Sequence, residues 1–97
     1  QLGLAADGSV PASVEDQAAI SFANIRAILA EGGMGVEDIC HISAWLTDRA
    51  DLHAYMAARD AFLSGASVLP ASTLLLIAGF SRTEFRVEIE VMAAKPR

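Results

Sequence analysis

With 97 residues, 54% of them hydrophobic and only 6% aromatic, the chain is long enough for one compact domain spanning 1–97 and too short for two. A net charge of −5, with no basic cluster beyond the terminal Lys95–Arg97, excludes the footprint of a nucleic-acid binder; no apolar run reaches membrane-spanning length. One cysteine excludes an internal disulfide framework and fits a reducing, cytoplasmic setting, and residues 1–16 lack the basic start and long apolar core of a signal peptide. So much apolar residue is hard to bury in so small a subunit, which points to self-association.

Gln1–Ala5 reads as the end of a strand leading into a turn at Asp7-Gly8, and a start without Met creates the expectation of upstream sequence. Ser13, with Asp16 three residues on, marks a helix start. The helix is predicted from Val14 to Glu31, with Ala18, Phe22, Ile25, Ile28 and Leu29 on its buried face and Gly32-Gly33 ending it. Ile39–Leu46 alternates as a strand, placing Cys40, Ile42, Ala44 and Leu46 beneath helices and His41, Ser43 and Trp45 opposite. On this reading Cys40 is a buried, inert thiol. Asp48 or Asp51 caps a second helix, roughly Leu52 to Leu63, with Tyr55, Ala58 or Arg59, and Phe62 along one stripe.

The apolar run Thr73–Phe80 reads as a strand buried on both faces. Phe85–Met92 alternates, with Phe85, Val87, Ile89 and Val91 on one face and Arg86, Glu88, Glu90 and Met92 on the other. With only Gly79–Glu84 separating these strands at their nearest, an antiparallel hairpin is the simplest pairing. The order describes an α+β sheet with both helices on one side.

Several segments together resemble one family. They are Gln17 with Asn24-Ile25 and Ala27-Ile28-Leu29, Glu37-Asp38-Ile39 through Trp45-Leu46-Thr47-Asp48, Pro70-Ala71 with Thr73, and Val87-Glu88-Ile89-Glu90 with Ala93. In order and spacing they resemble the RidA (YjgF, endoribonuclease L-PSP) superfamily of reactive-intermediate deaminases, over nearly the whole chain. The resemblance implies a chorismate-mutase-like mixed sheet and a homotrimer whose three sheets form a central barrel with ligand clefts between subunits. It also implies that the family's amino-terminal strand lies outside this sequence.

Deaminating members carry an Arg after Pro-Ala that grips the substrate carboxylate through a bidentate fork. Ser72 stands there instead, and Met56 and Arg59 replace the family's Asn and Tyr in the second helix. Glu88 matches the carboxylate that orients or deprotonates the attacking water; its plainer reading is a polar residue on the less buried face of a strand. The resemblance makes Glu88 the catalytic candidate and Ser72 and Thr73 substrate-binding candidates, to which Arg82 is added as a cation that could replace the missing anchor. Arg82 and Arg86 are possible substitute anchors, against the reading as solvated charges at a hairpin end; Arg59 is a third, should imine hydrolysis prove robust. His41 and His53 lack the paired spacing of a metal site, and neither a metal nor a cofactor is expected.

Two functions are consistent with these residues. One is hydrolysis of a small enamine or imine in an inter-subunit cleft, weakened about tenfold to several hundredfold by the loss of one or two charge-assisted contacts at Ser72. The other is a non-enzymatic trimer that binds a small metabolite or a partner protein. The ribonuclease activity that one family name suggests finds no basic track.

Overall fold

The computed structural model describes residues 1–96. Two helices, α1 (Val14–Glu31) and α2 (Leu52–Phe62), cover one face of a sheet formed by β1 (Ile39–Leu46), β2 (Ala71–Leu76) and β3 (Val87–Ala93). The strand order is β2-β1-β3, with β2 parallel and β3 antiparallel to β1. This is the expected α+β class, a mixed sheet with both helices on one side.

Local chemistry sets the limits of α1. The Ser13 hydroxyl accepts a 3.1 Å bond from the Asp16 amide, satisfying one of the donors left open at a helix start. At the other end Gly33 has φ +72°, and Met34 N donates to Leu29 O at 2.8 Å while Gly33 N donates to Ala30 O at 3.0 Å. Those paired bonds close the last turn around a left-handed glycine. The stripe Ala18, Phe22, Ile25 and Leu29 is buried as the spacing predicts, but Ile28 is 55% exposed, on the flank of the stripe rather than within it. Phe22 joins the helices, its ring stacking on Phe62 at 4.5 Å and on Tyr55 at 6.3 Å.

The sheet corrects the predicted hairpin: β2 and β3 are antiparallel in sense but are not neighbours, because β1 lies between them. A strand followed by a helix and another strand returns parallel to its start, so β1-α2-β2 forms one crossover unit and residues 77–86 carry the chain across to the far side of β1. The run Thr73–Phe80 is not a strand buried on both faces. Regular pairing ends at Leu76, and only Leu74 of β2 packs on the core, while Leu75 and Leu76 are exposed. As an edge strand β2 has cover on one face only.

Cys40 is also corrected. The β1–β3 register shifts between Ile39 and His41, so Ile39 and Ile42 are both buried while Cys40 is exposed, its Sγ 3.2 Å from Met92 O. One extra residue in a strand turns its side chain off the face that alternation assigns. Beyond the bulge Ile42, Ala44 and Leu46 are buried as predicted. Val87 and Ile89 of β3 likewise face the helices, and Glu88, Glu90 and Met92 face away. Gln1–Leu2 runs antiparallel along the outer edge of β3, with Ile89 N donating to Gln1 O at 3.0 Å. The turn at Asp7-Gly8 closes through Ala5 N to Ser9 O at 2.8 Å, with Gly8 at φ +87°.

A single buried amide joins these parts. Gln17 Nε2 donates to Pro11 O at 2.8 Å and to Glu84 O at 2.9 Å, and its Oε1 accepts from Arg86 N at 2.8 Å. Gly3 passes so close to this residue that a Cβ there would meet Gln17 Cα at 2.5 Å. Replacing Gln17 by Leu keeps the volume but leaves three backbone groups unpaired, each worth about 1–3 kcal/mol. The Gln17→Leu protein is therefore expected to lose at least about 3 kcal/mol, read as a lower urea midpoint at unchanged slope.

Tyr55 is the one tyrosine of the chain, and its hydroxyl is buried without a partner among the described residues. Burial raises its pKa above the ordinary 10.0, and the nearby Arg59 offsets part of the rise. A raised folded-state value favours the protonated fold. The contribution to stability is complete below about pH 10 and disappears as pH rises through the folded value. An ultraviolet titration should show the phenol of the native protein ionising above the unfolded one; coincident curves would contradict this burial.

Candidate functional site

The face of the sheet away from the helices is built from three rows. Ala71, His41 and Met92 form one, Thr73, Ser43 and Glu90 the next, and Leu75, Trp45 and Glu88 the third. Within a row neighbouring side chains lie about 5 Å apart. Among the described residues no helix or strand packs on this face, and Leu75 and Met92 are 52% and 67% exposed. Glu88 and Trp45, with Gln1 and Glu90, line an open cavity of about 250 Å³. Thr73 belongs to the same face, its Oγ1 3.2 Å from His41 Nε2. His41, placed by the alternation on the face opposite the helices, thus has a defined partner.

Ser72 lies on the other face. It shares its side of β2 with Leu74, which packs on the core, and lines a cavity of about 160 Å³ with Ile42, Arg59, Asp60, Leu63 and Leu69. Glu88 and Ser72 are therefore on opposite faces and on strands about 10 Å apart. One chain does not bring them to a common point. Arg82 is in the exposed 77–86 connection, 2.7 Å from Glu84 Oε2 and over the Phe85 ring at 5.5 Å. The Arg82 guanidinium holds the Glu84 carboxyl below its usual range.

Arg86 is not a solvated charge at a hairpin end. Its Nη2 and Nε meet both oxygens of Asp51 at 2.7 and 3.1 Å, a two-point fork that ties β3 to the start of α2. The Asp51 side chain is 7% exposed and that of Arg86 39%. Asp51 therefore spends its carboxylate on Arg86 and makes no cap bond of its own; Asp48 caps the preceding turn by accepting from Ala50 N at 2.9 Å. Sequence spacing missed the contact because the partners are 35 residues apart. Among the described residues no group of three or more His, Cys, Asp or Glu could hold a metal ion, and no helix is long and apolar enough to cross a membrane.

The sequence profile of the endoribonuclease L-PSP family matches residues 1–95. The chain belongs to this family. Among endoribonuclease L-PSP relatives, TdcF of Escherichia coli K12, named as a reactive intermediate deaminase, is 28% identical over 89 residues, which is 91% of this chain and 68% of TdcF. The structure of E. coli TdcF with bound serine superposes with TM-score 0.90 at 26% identity, covering 99% of this chain and 76% of that one. The E. coli YjgF gene product gives 0.89 at 28% identity, with the same coverage. The RidA resemblance read from Gln17, Pro70-Ala71 and Val87–Glu90 thus holds, and the fold is that of RidA-family structures.

Removal of Asp51 tests the fold at the one ion pair with a buried carboxylate among the described residues. Losing one partner of a buried pair costs about 3–5 kcal/mol; with Arg86 partly in water, Asp51→Ala is expected to lose about 1–3 kcal/mol. Chemical denaturation at low and high salt measures it, and an unchanged midpoint would remove the pair from the account.

Proposed function

We propose that this chain acts on a small imine or enamine as a RidA-type hydrolase, in clefts formed between the subunits of a homotrimer, in the cytoplasm. The observation that carries the proposal is the placement of Glu88. It stands on an uncovered sheet face beside Trp45, in a cavity open enough to admit water and a metabolite. A carboxylate in that position can orient a water for attack on the imine carbon and take up its proton. Ser72, Thr73 and Arg82 are the proposed substrate contacts. Since Ser72 and Glu88 face opposite ways, a second subunit is needed to bring an α2–β2 edge against an open face.

The serine bound to TdcF supports a small polar metabolite as the ligand class. The second reading, a trimer that binds a metabolite or partner protein without turning it over, is favoured by Ser72 alone. A hydroxyl offers a neutral contact where a guanidinium would give a charged fork. The two readings differ at Glu88.

Sedimentation should give a trimer at micromolar concentration, since Leu75, Leu76 and Met92 are exposed in the isolated subunit and gain cover only by association. Glu88→Gln should keep the trimer and lower hydrolysis of 2-iminobutanoate by about a hundredfold or more. Turnover unaffected by Glu88→Gln would remove the catalytic role, and absence of turnover in the parent protein would favour the binding reading.

A further inference from the structure

Three arginines are candidates for the charge that Ser72 does not supply, and their surroundings differ. Arg86 is held by both oxygens of Asp51. Arg82 is paired with Glu84 on an exposed connection, outside the Ser72 cavity. Arg59 is the one arginine lining the same cavity as Ser72, and its side chain is only 22% exposed. Both of its bonds, from Nε at 3.3 Å and Nη2 at 3.2 Å, fall on a single oxygen of Asp60. They are longer than the 2.7–2.9 Å of a strong charge-assisted contact. A guanidinium has five donors, and those on Nη1 have no partner among the described residues.

We propose that Arg59 is the anion anchor of this chain, and that the cavity between α2 and β2 takes a small organic carboxylate, gripped by the Arg59 guanidinium and the Ser72 hydroxyl. Ile42, Leu63, Leu69 and Pro70 give the cavity an apolar lining that suits a short hydrocarbon body, and a volume of about 160 Å³ limits the ligand to metabolite size. A few convergent polar groups within an apolar lining are the usual composition of such a site. Asp60, exposed and adjacent, competes with the ligand for the guanidinium. The cationic anchor thus enters from the helix instead of the strand. This assignment rests on the small-molecule reading above and makes it specific by naming the residue that anchors the ligand.

The probe is 2-oxobutanoate, a stable carboxylate, titrated into the full chain by calorimetry and by NMR of the arginine Nε–H signals. The parent protein should bind it, with the Arg59 signal shifting and binding weakening as salt is added. Arg59→Gln should weaken binding at least about tenfold, and Arg59→Lys should recover part of it. Asp60→Asn should tighten binding severalfold, a gain that damage to the fold would not produce. No binding by the parent protein, binding by Arg59→Gln within twofold of the parent, or weaker binding by Asp60→Asn would each overturn the assignment. If Glu88→Gln abolishes turnover while Arg59→Gln still binds, the reaction stands and the anchor falls. If Arg59→Gln loses binding while Glu88→Gln turns over normally, the anchor stands and the reaction falls.

Discussion

The arrangement depends on the side-chain amide of Gln17. Apolar burial between the two helices and the sheet supplies most of the driving force, but it is nearly indifferent to small slips of β3. The amide is not. It is fully buried and must satisfy its donors and acceptor internally, which it does only when Pro11, Glu84 and Arg86 stand where they do. A one-residue slip would point Glu88 at the helices and Val87 at the open face. The same Arg86 whose backbone amide meets Gln17 sends its side chain to Asp51, so α1, β3 and the start of α2 are set by one connected group of polar contacts. That group lies on the helix side of the sheet, and its consequence is read on the other side, where Glu88 is delivered beside Trp45.

The two faces of the sheet have different work. The helix side is dry and filled by Ile42, Ala44, Leu46, Val87 and Ile89. The open side mixes Leu75, Trp45 and Met92 with His41, Ser43, Thr73, Glu88 and Glu90, too polar for a packed core and too apolar for a solvent face. Such a composition suits a surface that another subunit covers in part, leaving polar groups to line the remaining space.

Much of this was legible in the sequence, for local reasons. Ser13 and Gly32-Gly33 mark the ends of α1 because caps are chemistry of neighbouring residues. The alternation of β3 separates Glu88 from Val87 and Ile89 because a strand has a period of two. The failures are nonlocal. Alternation places Cys40 on the wrong face because a bulge is a property of two paired strands, and Ile39–Leu46 alone does not reveal it. Apolar runs close in sequence favour direct pairing and so a hairpin; the 11-residue α2 between β1 and β2, a crossover of ordinary length, is the signal for a parallel neighbour. Arg59 and Ser72 meet in one cavity because α2 returns the chain to the start of β2, and no spacing rule within either element expresses that.

The position of Trp45 gives the protein an internal optical reporter. It is the one tryptophan of the chain, half-buried on the open face and opposite Glu88 across the β1–β3 pairing. The indole therefore experiences the water, charge and neighbouring surface that Glu88 experiences. Its emission colour and quenching by dissolved iodide follow the covering of that face, free of background from any second indole. Any change in the cover of that face can thus be followed in the unlabelled protein, as a function of protein concentration or of an added small molecule.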